Sequence, residues 1–330
     1  MPQTSELRQA DPLRGKAADA RITVDARALL HGTAEDRAAA ITQIRKACVE
    51  TGFFYLEHAF DESGSAATAL TQMQQFFGLP DDDPRKQAVN NEQKPGSYGW
   101  MPMFGEPAYQ PGTIAHLESF DCGRETNFTK GLEGDNAWPD LPQFRRDVLL
   151  CWDAITEIGN AALAAISSAA GLAPSFLPDN CSSQELNTMR LLHYPANDTP
   201  PSDADVGIAA HTDFECITLI LQTQPGLELT DINGHWYDAP SHDGRIVVLL
   251  GDMLERWTNG TFKATGHRVR NTPWERYSIV MFFAANADVT IAPLPQFVSD
   301  TRPSRYAEIG QREHIDNEIR RAELNRAAPR

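Results

Sequence analysis

His211-Thr212-Asp213 opens a stretch that continues through Ile217-Thr218-Leu219-Ile220-Leu221, passes a lone His267, and closes on Arg276-Tyr277-Ser278. Side chains alternate faces along a strand, so residues two apart point the same way. On that rule His211 and Asp213 aim together, and so do Arg276 and Ser278. If His267 lies across from the first pair, two imidazoles and one carboxylate converge with half a coordination sphere left open. That donor set, with open positions, suits non-haem Fe(II). An arginine fork with a hydroxyl beside it is a seat for a carboxylate.

Working outward, the chain from Leu186 reads as short strands divided by turns. Met189 to Tyr194 ends at Pro195, and Ile217 to Leu221 is apolar apart from Thr218. Asn233-Gly234 is a hairpin signal, with Leu227-Glu228-Leu229 before it and Trp236-Tyr237 after. Ile246 to Leu250 and Tyr277 to Phe283 read as buried strands. Many strands at such short spacing predict a sandwich or jelly roll.

Upstream the texture is mixed. Ile22-Thr23-Val24 and Phe53-Phe54-Tyr55-Leu56 read as strands. Thr33 is an N-cap for a helix over Ala38 to Val49, and a second helix is expected from about Asp61 to Phe77. A long helix is expected from Pro142 to Ala170, its apolar face (Val148, Leu149, Trp152, Ile155, Ile158) backing the sheet. Residues 94 to 120 look irregular and are rich in aromatics and methionine, which fits either a binding lid or a loop packed on the core. The charged stretch from Gln311 to Arg326 reads as an exposed helix that could cover the barrel. The expected organisation is a flexible N-terminus (1–20), a helical and strand region (21–180), a catalytic core (181–300) and a C-terminal helical extension (301–330).

Composition narrows the function classes. The 330 residues are 41% hydrophobic, enough to bury a substantial core. A formal net charge of −16 with no basic run would repel a duplex or an anionic membrane, so neither is an expected partner. The cysteines, Cys48, Cys122, Cys151, Cys181 and Cys216, are odd in number and form no CxxC pair, which argues against a disulfide framework or a zinc ribbon. The polar N-terminus lacks the apolar core of a signal peptide, and no apolar run reaches the length of a membrane span. A cytoplasmic protein is expected, and nothing in the sequence speaks to its oligomeric state.

With these residues in place a resemblance is visible. The ordered set His211-x-Asp213, Gly251-Asp252, His267 and Arg276-x-Ser278 is similar to that of the isopenicillin N synthase-like branch of the Fe(II)/2-oxoglutarate-dependent oxygenases. Gly52-Phe53-Phe54-Tyr55 resembles that family's N-terminal strand, His116-Leu117-Glu118-Ser119-Phe120 its acidic "KESF" segment, and Arg190 to Pro195 the strand before the metal. The resemblance spans roughly residues 20 to 300. It implies a mainly β fold with flanking helices around a double-stranded β-helix (jelly-roll) core.

It also implies roles. His211, Asp213 and His267 would bind Fe(II), while Arg276 and Ser278 would hold the distal carboxylate of the co-substrate 2-oxoglutarate. Tyr194 matches a position that contacts the co-substrate in relatives, although many of them carry Asn where this chain has Leu192. Arg190 would supply a second carboxylate contact or a surface ion pair. With O2 as the other co-substrate, 2-oxoglutarate is oxidised to succinate and CO2 while a C–H bond of a small molecule is attacked, most simply by hydroxylation. Tyr98, Met101, Met103, Phe104, Glu118, Phe214 and Phe282 are the candidate substrate contacts, Glu118 as a partner for an amine or hydroxyl. Three alternatives stay open: a 2-oxoglutarate-independent iron oxidase of the isopenicillin N synthase type, a non-catalytic small-molecule receptor on the same fold, and a zinc hydrolase.

Overall fold

The computed structural model of the chain describes residues 23–60, 64–93, 98–125, 136–197, 205–241 and 244–327. The expected flexible N-terminus, Ile22, the start of the second helix at Asp61, and Lys94 to Ser97 of the irregular loop lie outside the described residues. Twelve strands build the two main sheets: β1 (Thr23–Asp25), β2 (Phe53–Glu57), β3 (Trp100–Met101), β4 (Glu118–Gly123), β5 (Thr188–Tyr194), β6 (Ile208–His211), β7 (Ile217–Gln222), β8 (Leu227–Thr230), β9 (Trp236–Asp238), β10 (Ile246–Leu250), β11 (His267–Val269) and β12 (Arg276–Phe283). The principal helices are α1 (Ala34–Glu50), α2 (Ser65–Phe77), α3 (Phe144–Ala169), α4 (Asp252–Trp257) and α5 (Gln311–Ala327).

The large sheet has eight strands in the order β1-β2-β10-β7-β12-β5-β4-β3, and the small one has four in the order β9-β8-β11-β6. The two are not joined edge to edge into a closed barrel. Both contribute side chains to one cavity between them, as a jelly roll requires. The apolar run Ile246–Leu250 is central because it pairs on both sides, Val248 standing opposite Phe54 of β2 and Leu219 of β7. A strand covered on both faces must be apolar throughout, and every residue of β10 is buried. The hairpin read at Asn233-Gly234 joins β8 to β9, with Thr230 opposite Trp236.

Helices α1, α2 and α3 pack on the large sheet. Thr33 caps α1 in a reciprocal box, its hydroxyl accepting from the Asp36 N–H at 3.2 Å while Asp36 accepts from the Thr33 N–H at 3.0 Å. α3 is the longest helix and, by length and composition alone, apolar enough to cross a membrane. Here Phe144, Val148, Trp152, Ile155 and Ile158 are buried, so that apolar character packs inward. Its Gly159 lets the helix lie on β12: a Cβ there would sit 1.9 Å from Cζ of the buried Phe283 ring.

Candidate active site

The stretch His211-Thr212-Asp213 does not act as the strand pair expected. β6 ends at His211, and Asp213 sits in the following turn, outside any strand. What holds the turn is the start of α4. The N–H groups of Asp252 and Met253 donate to the carbonyls of Asp213 (2.9 Å) and Glu215 (3.1 Å), and the Gly251 N–H donates to Cys216 O at 2.9 Å. Gly251 is required at this contact, because a Cβ would fall 2.3 Å from the Glu215 carbonyl oxygen. His267 arrives by strand register: on β11 it stands directly opposite His211 of β6 and Leu229 of β8.

The outcome is a compact donor set. One ligand atom from each of His211, Asp213 and His267 lies within 4.8 Å of the others. His211 Nε2 is 3.7 Å and His267 Nε2 3.5 Å from Asp213 Oδ1. Both rings are turned the same way by their backbone: Nδ1 of His211 is 2.8 Å from Ala209 O, and Nδ1 of His267 is 3.1 Å from Thr265 O. A carbonyl only accepts, so each Nδ1 carries the hydrogen and each Nε2 presents a lone pair. Burial, with His267 adjacent, pushes the His211 pKa down to about 3, so the ring is neutral and able to ligate at ordinary pH.

Above this set lies a cavity of about 330 Å³, within the size range of small-molecule sites. Arg276 and Ser278 do follow the strand rule, standing opposite Tyr194 and Leu192 on β5, and both line the cavity. Arg276 is 1% exposed. Its Nη2 donates to Gln222 Oε1 at 2.8 Å, its Nε to Gln224 O at 3.1 Å, and its guanidinium lies 4.6 Å over the Tyr194 ring. Burial lowers its pKa and raises that of Tyr194.

Among the described residues, three buried polar atoms of this site have no hydrogen-bond partner: Arg276 Nη1, Ser278 Oγ and Asp213 Oδ2. Each such atom costs about 1–3 kcal/mol if nothing meets it, so a native site that keeps three is shaped for a ligand. A carboxylate answers the guanidinium and hydroxyl, and a divalent cation answers the Asp213 oxygen and the two imidazole lone pairs. The residues fit Fe(II) and a dicarboxylic co-substrate.

Comparison with known proteins gives the same answer independently. The family model of the 2OG-Fe(II) oxygenase superfamily matches residues 186–285, and that of the non-haem dioxygenase N-terminal region ("in morphine synthesis") matches residues 23–141. The 2-oxoglutarate-dependent dioxygenase citB of Monascus ruber is 34% identical over 277 residues, covering 77% of this chain and 81% of its own. A homoarginine-6-hydroxylase of Glycine max is 31% identical over 306 residues, covering 86% of both. The chain belongs to the 2OG-Fe(II) oxygenase superfamily. A full-length Neurospora crassa structure in complex with alpha-KG superposes with a TM-score of 0.76 at 25% identity, covering 91% of this chain and 95% of that one. Accordingly the protein is an Fe(II)- and 2-oxoglutarate-dependent dioxygenase with the jelly-roll fold of that superfamily.

Among the expected substrate contacts of this oxygenase, Tyr98, Met101, Phe214 and Phe282 line the cavity, whereas Met103, Phe104 and Glu118 do not. Phe104 is half exposed, with its backbone in the left-handed region (φ 65°) and its ring edge-on to His116. Met103, two residues past the last cavity-lining methionine, is only partly buried outside the wall. Glu118 is already engaged: Lys86 Nζ, Trp100 Nε1 and His193 Nδ1 surround its carboxylate at 2.7–2.8 Å. Met by three donors and lying outside the cavity wall, that carboxylate ties Lys86 to the β3–β4–β5 edge and does not face a substrate amine.

Arg190 does line the cavity, but it is not a surface ion pair, nor is its guanidinium free for a co-substrate carboxylate. Glu106 grips it through two bonds of 2.7 and 2.8 Å, and Asp121 takes its Nε at 3.0 Å. Burial opposes the charge, yet Asp121 and Glu106 more than offset it and hold the Arg190 pKa well above its usual range. The irregular loop supplies a further residue that no spacing rule pointed to. Tyr109 stacks on the His211 ring at 4.2 Å and 8° and donates to Glu106 Oε1 at 3.1 Å. Gln222, which orients Arg276, also went unmarked, although a glutamine closing the apolar run of β7 was a visible irregularity.

Proposed function

We propose that His211, Asp213 and His267 hold the Fe(II), that Arg276 and Ser278 receive the distal carboxylate of 2-oxoglutarate, and that the enzyme hydroxylates an unactivated C–H bond of a small organic molecule. The observation that carries this reading is the pairing, within one cavity, of an open two-histidine, one-carboxylate set with an orphaned guanidinium N–H and hydroxyl. When bound, the iron couples oxidation of 2-oxoglutarate to succinate and CO2, which takes up one oxygen atom of O2, to insertion of the other into the C–H bond as a hydroxyl. The chain's own contribution is orientation and dryness. Arg276 and Ser278 fix one end of the co-substrate, Tyr109 braces the His211 ring, and Ile315 and Ile319 of α5 roof the cavity against water.

A small substrate is in keeping with the size of the cavity and with the amino acid named for the Glycine max relative. The five cysteines are all buried and free, which supports a reducing, cytoplasmic setting. The test is succinate formation from 2-oxoglutarate by the purified chain. It should require Fe(II) and disappear in Asp213→Ala. Continued turnover in that variant would overturn the ligand assignment, and substrate-dependent O2 uptake without 2-oxoglutarate would favour an oxidase instead.

A further inference from the structure

Arg190 lines the cavity, yet its guanidinium is engaged by the protein itself. It anchors a chain of side chains that runs along the cavity wall and ends on the metal ligand His211. Arg190 stands opposite Asp121 of β4, which takes its Nε at 3.0 Å, and its two terminal nitrogens close a fork on the buried Glu106. A fork of this kind fixes direction as well as distance. Glu106 Oε1 accepts a second bond, from the Tyr109 hydroxyl at 3.1 Å, so the fork also sets the phenol. The Tyr109 ring then lies on His211, with centroids 4.2 Å apart and planes within 8°. Glu106, Tyr109, Asp121 and Arg190 all line the cavity.

The two ends of this chain belong to different sheets. On β5, Arg190 shares a face with Leu192 and Tyr194, whose partners in register on β12 are Ser278 and Arg276 of the co-substrate seat. His211 is on β6 of the small sheet. The loop that carries Tyr109 is tied to that strand, since Gln110 Nε2 donates to Ala210 O at 3.3 Å, and Asn325 of α5 donates to Tyr109 O at 3.4 Å. The His211 imidazole has one edge fixed, where Nδ1 meets Ala209 O, and a ring held at one atom is still able to tilt. The His267 ring touches it at 50° without lying flat, whereas Tyr109 lies flat and sets its plane. That plane decides where the Nε2 lone pair points.

We infer that Tyr109 is a positioning residue for the metal, and that Asp121, Arg190, Glu106 and Tyr109 form a strut between the sheets that fixes the ion's place relative to the co-substrate seat. This rests on the ligand assignment proposed above and adds the device that aims His211. Removing a partner that orients a ligating ring lowers metal affinity roughly ten- to a hundredfold.

The experiment titrates the metal-free full chain with Co(II), whose visible bands follow the geometry of its ligands, and reads affinity and spectrum together. Tyr109→Leu removes the flat face, so Co(II) affinity should fall about tenfold or more and the bands should move. Tyr109→Phe keeps the ring but frees it from Glu106, so the bands should move in the same direction by less. In a Glu106→Ala background Tyr109→Phe should add nothing, because the hydroxyl has lost its acceptor. Gly159→Ala strains packing outside the cavity and should leave affinity and bands at their wild-type values. Wild-type bands in either Tyr109 variant, a Tyr109→Phe effect undiminished without Glu106, or the same band shift in Gly159→Ala would each overturn the inference. Equal Co(II) binding by wild type and Asp213→Ala is a separate failure, which sinks the ligand assignment and the strut with it. Metal lost in Asp213→Ala but untouched in Tyr109→Leu sinks the strut alone.

Discussion

At the scale of single residues, the site works through atoms left without partners. Arg276 is held by Gln222, Gln224 and the Tyr194 ring, so its remaining Nη1 is aimed and cannot relax away from the cavity. Arg276→Gln should therefore weaken 2-oxoglutarate binding by about 3 kcal/mol, on the order of a hundredfold, with Fe(II) binding preserved. Separate titrations of metal and co-substrate check this. The His211 ring gives a pH signature. Its pKa is depressed to about 3 by burial and by His267, against 6.5 for an ordinary histidine. The unfolded chain thus takes up a proton near pH 6.5 that the native chain refuses, and the stability due to the neutral ring is present above that pH and lost as pH falls toward 3. Urea unfolding of the metal-free protein at pH 7.5 and pH 5 should show a loss that is smaller in His211→Asn.

Elements show where the sequence was legible and where it was not. β12 puts Arg276 and Ser278 on one face because strand alternation is a local rule, and local rules survive into the fold. Asp213 came to the expected place for a different reason, the N-terminus of α4 pinning a turn, and only the fold reveals that Gly251-Asp252 is the clamp. Substituting Gly251 by Ala forces the Glu215 carbonyl to move, so Fe(II) affinity should fall roughly ten- to a hundredfold, as when a ligand's support is lost. Gly159→Ala makes a useful contrast. It overpacks α3 against Phe283 and should cost about 1–2 kcal/mol of stability, after the gain in helix propensity, while metal affinity stays within twofold. If both variants lose metal equally, the clamp has no special role. The partners of Glu118 and Arg190 are hidden from the sequence for one shared physical reason. Their partners, Lys86, Trp100 and His193 for the first and Glu106 and Asp121 for the second, come from distant parts of the chain, and no spacing rule reports pairs that only tertiary packing creates.

For the whole molecule, two sheets and α5 enclose a cavity whose wall is apolar but whose polar atoms stay unsatisfied until ligands arrive. The buried strands β5, β7, β10 and β12, the hairpin at Asn233-Gly234 and the long α3 could be read from turn chemistry and periodicity. That Ile315 and Ile319 roof the cavity could not, because α5 is strongly polar overall and shows its apolar face only where it docks. Since both ligands bind the native state and not the unfolded chain, they should add stability together: saturation at a hundred times the dissociation constant contributes about 2.7 kcal/mol. The most direct single measurement is anoxic calorimetry of 2-oxoglutarate binding to the wild type and to Asp213→Ala, each with and without Fe(II). Tight binding should appear in the wild type with metal and nowhere else; equal affinity in its absence, or in the Asp213→Ala protein with Fe(II) added, would contradict a co-substrate held jointly by Arg276 and an ion seated on His211, Asp213 and His267.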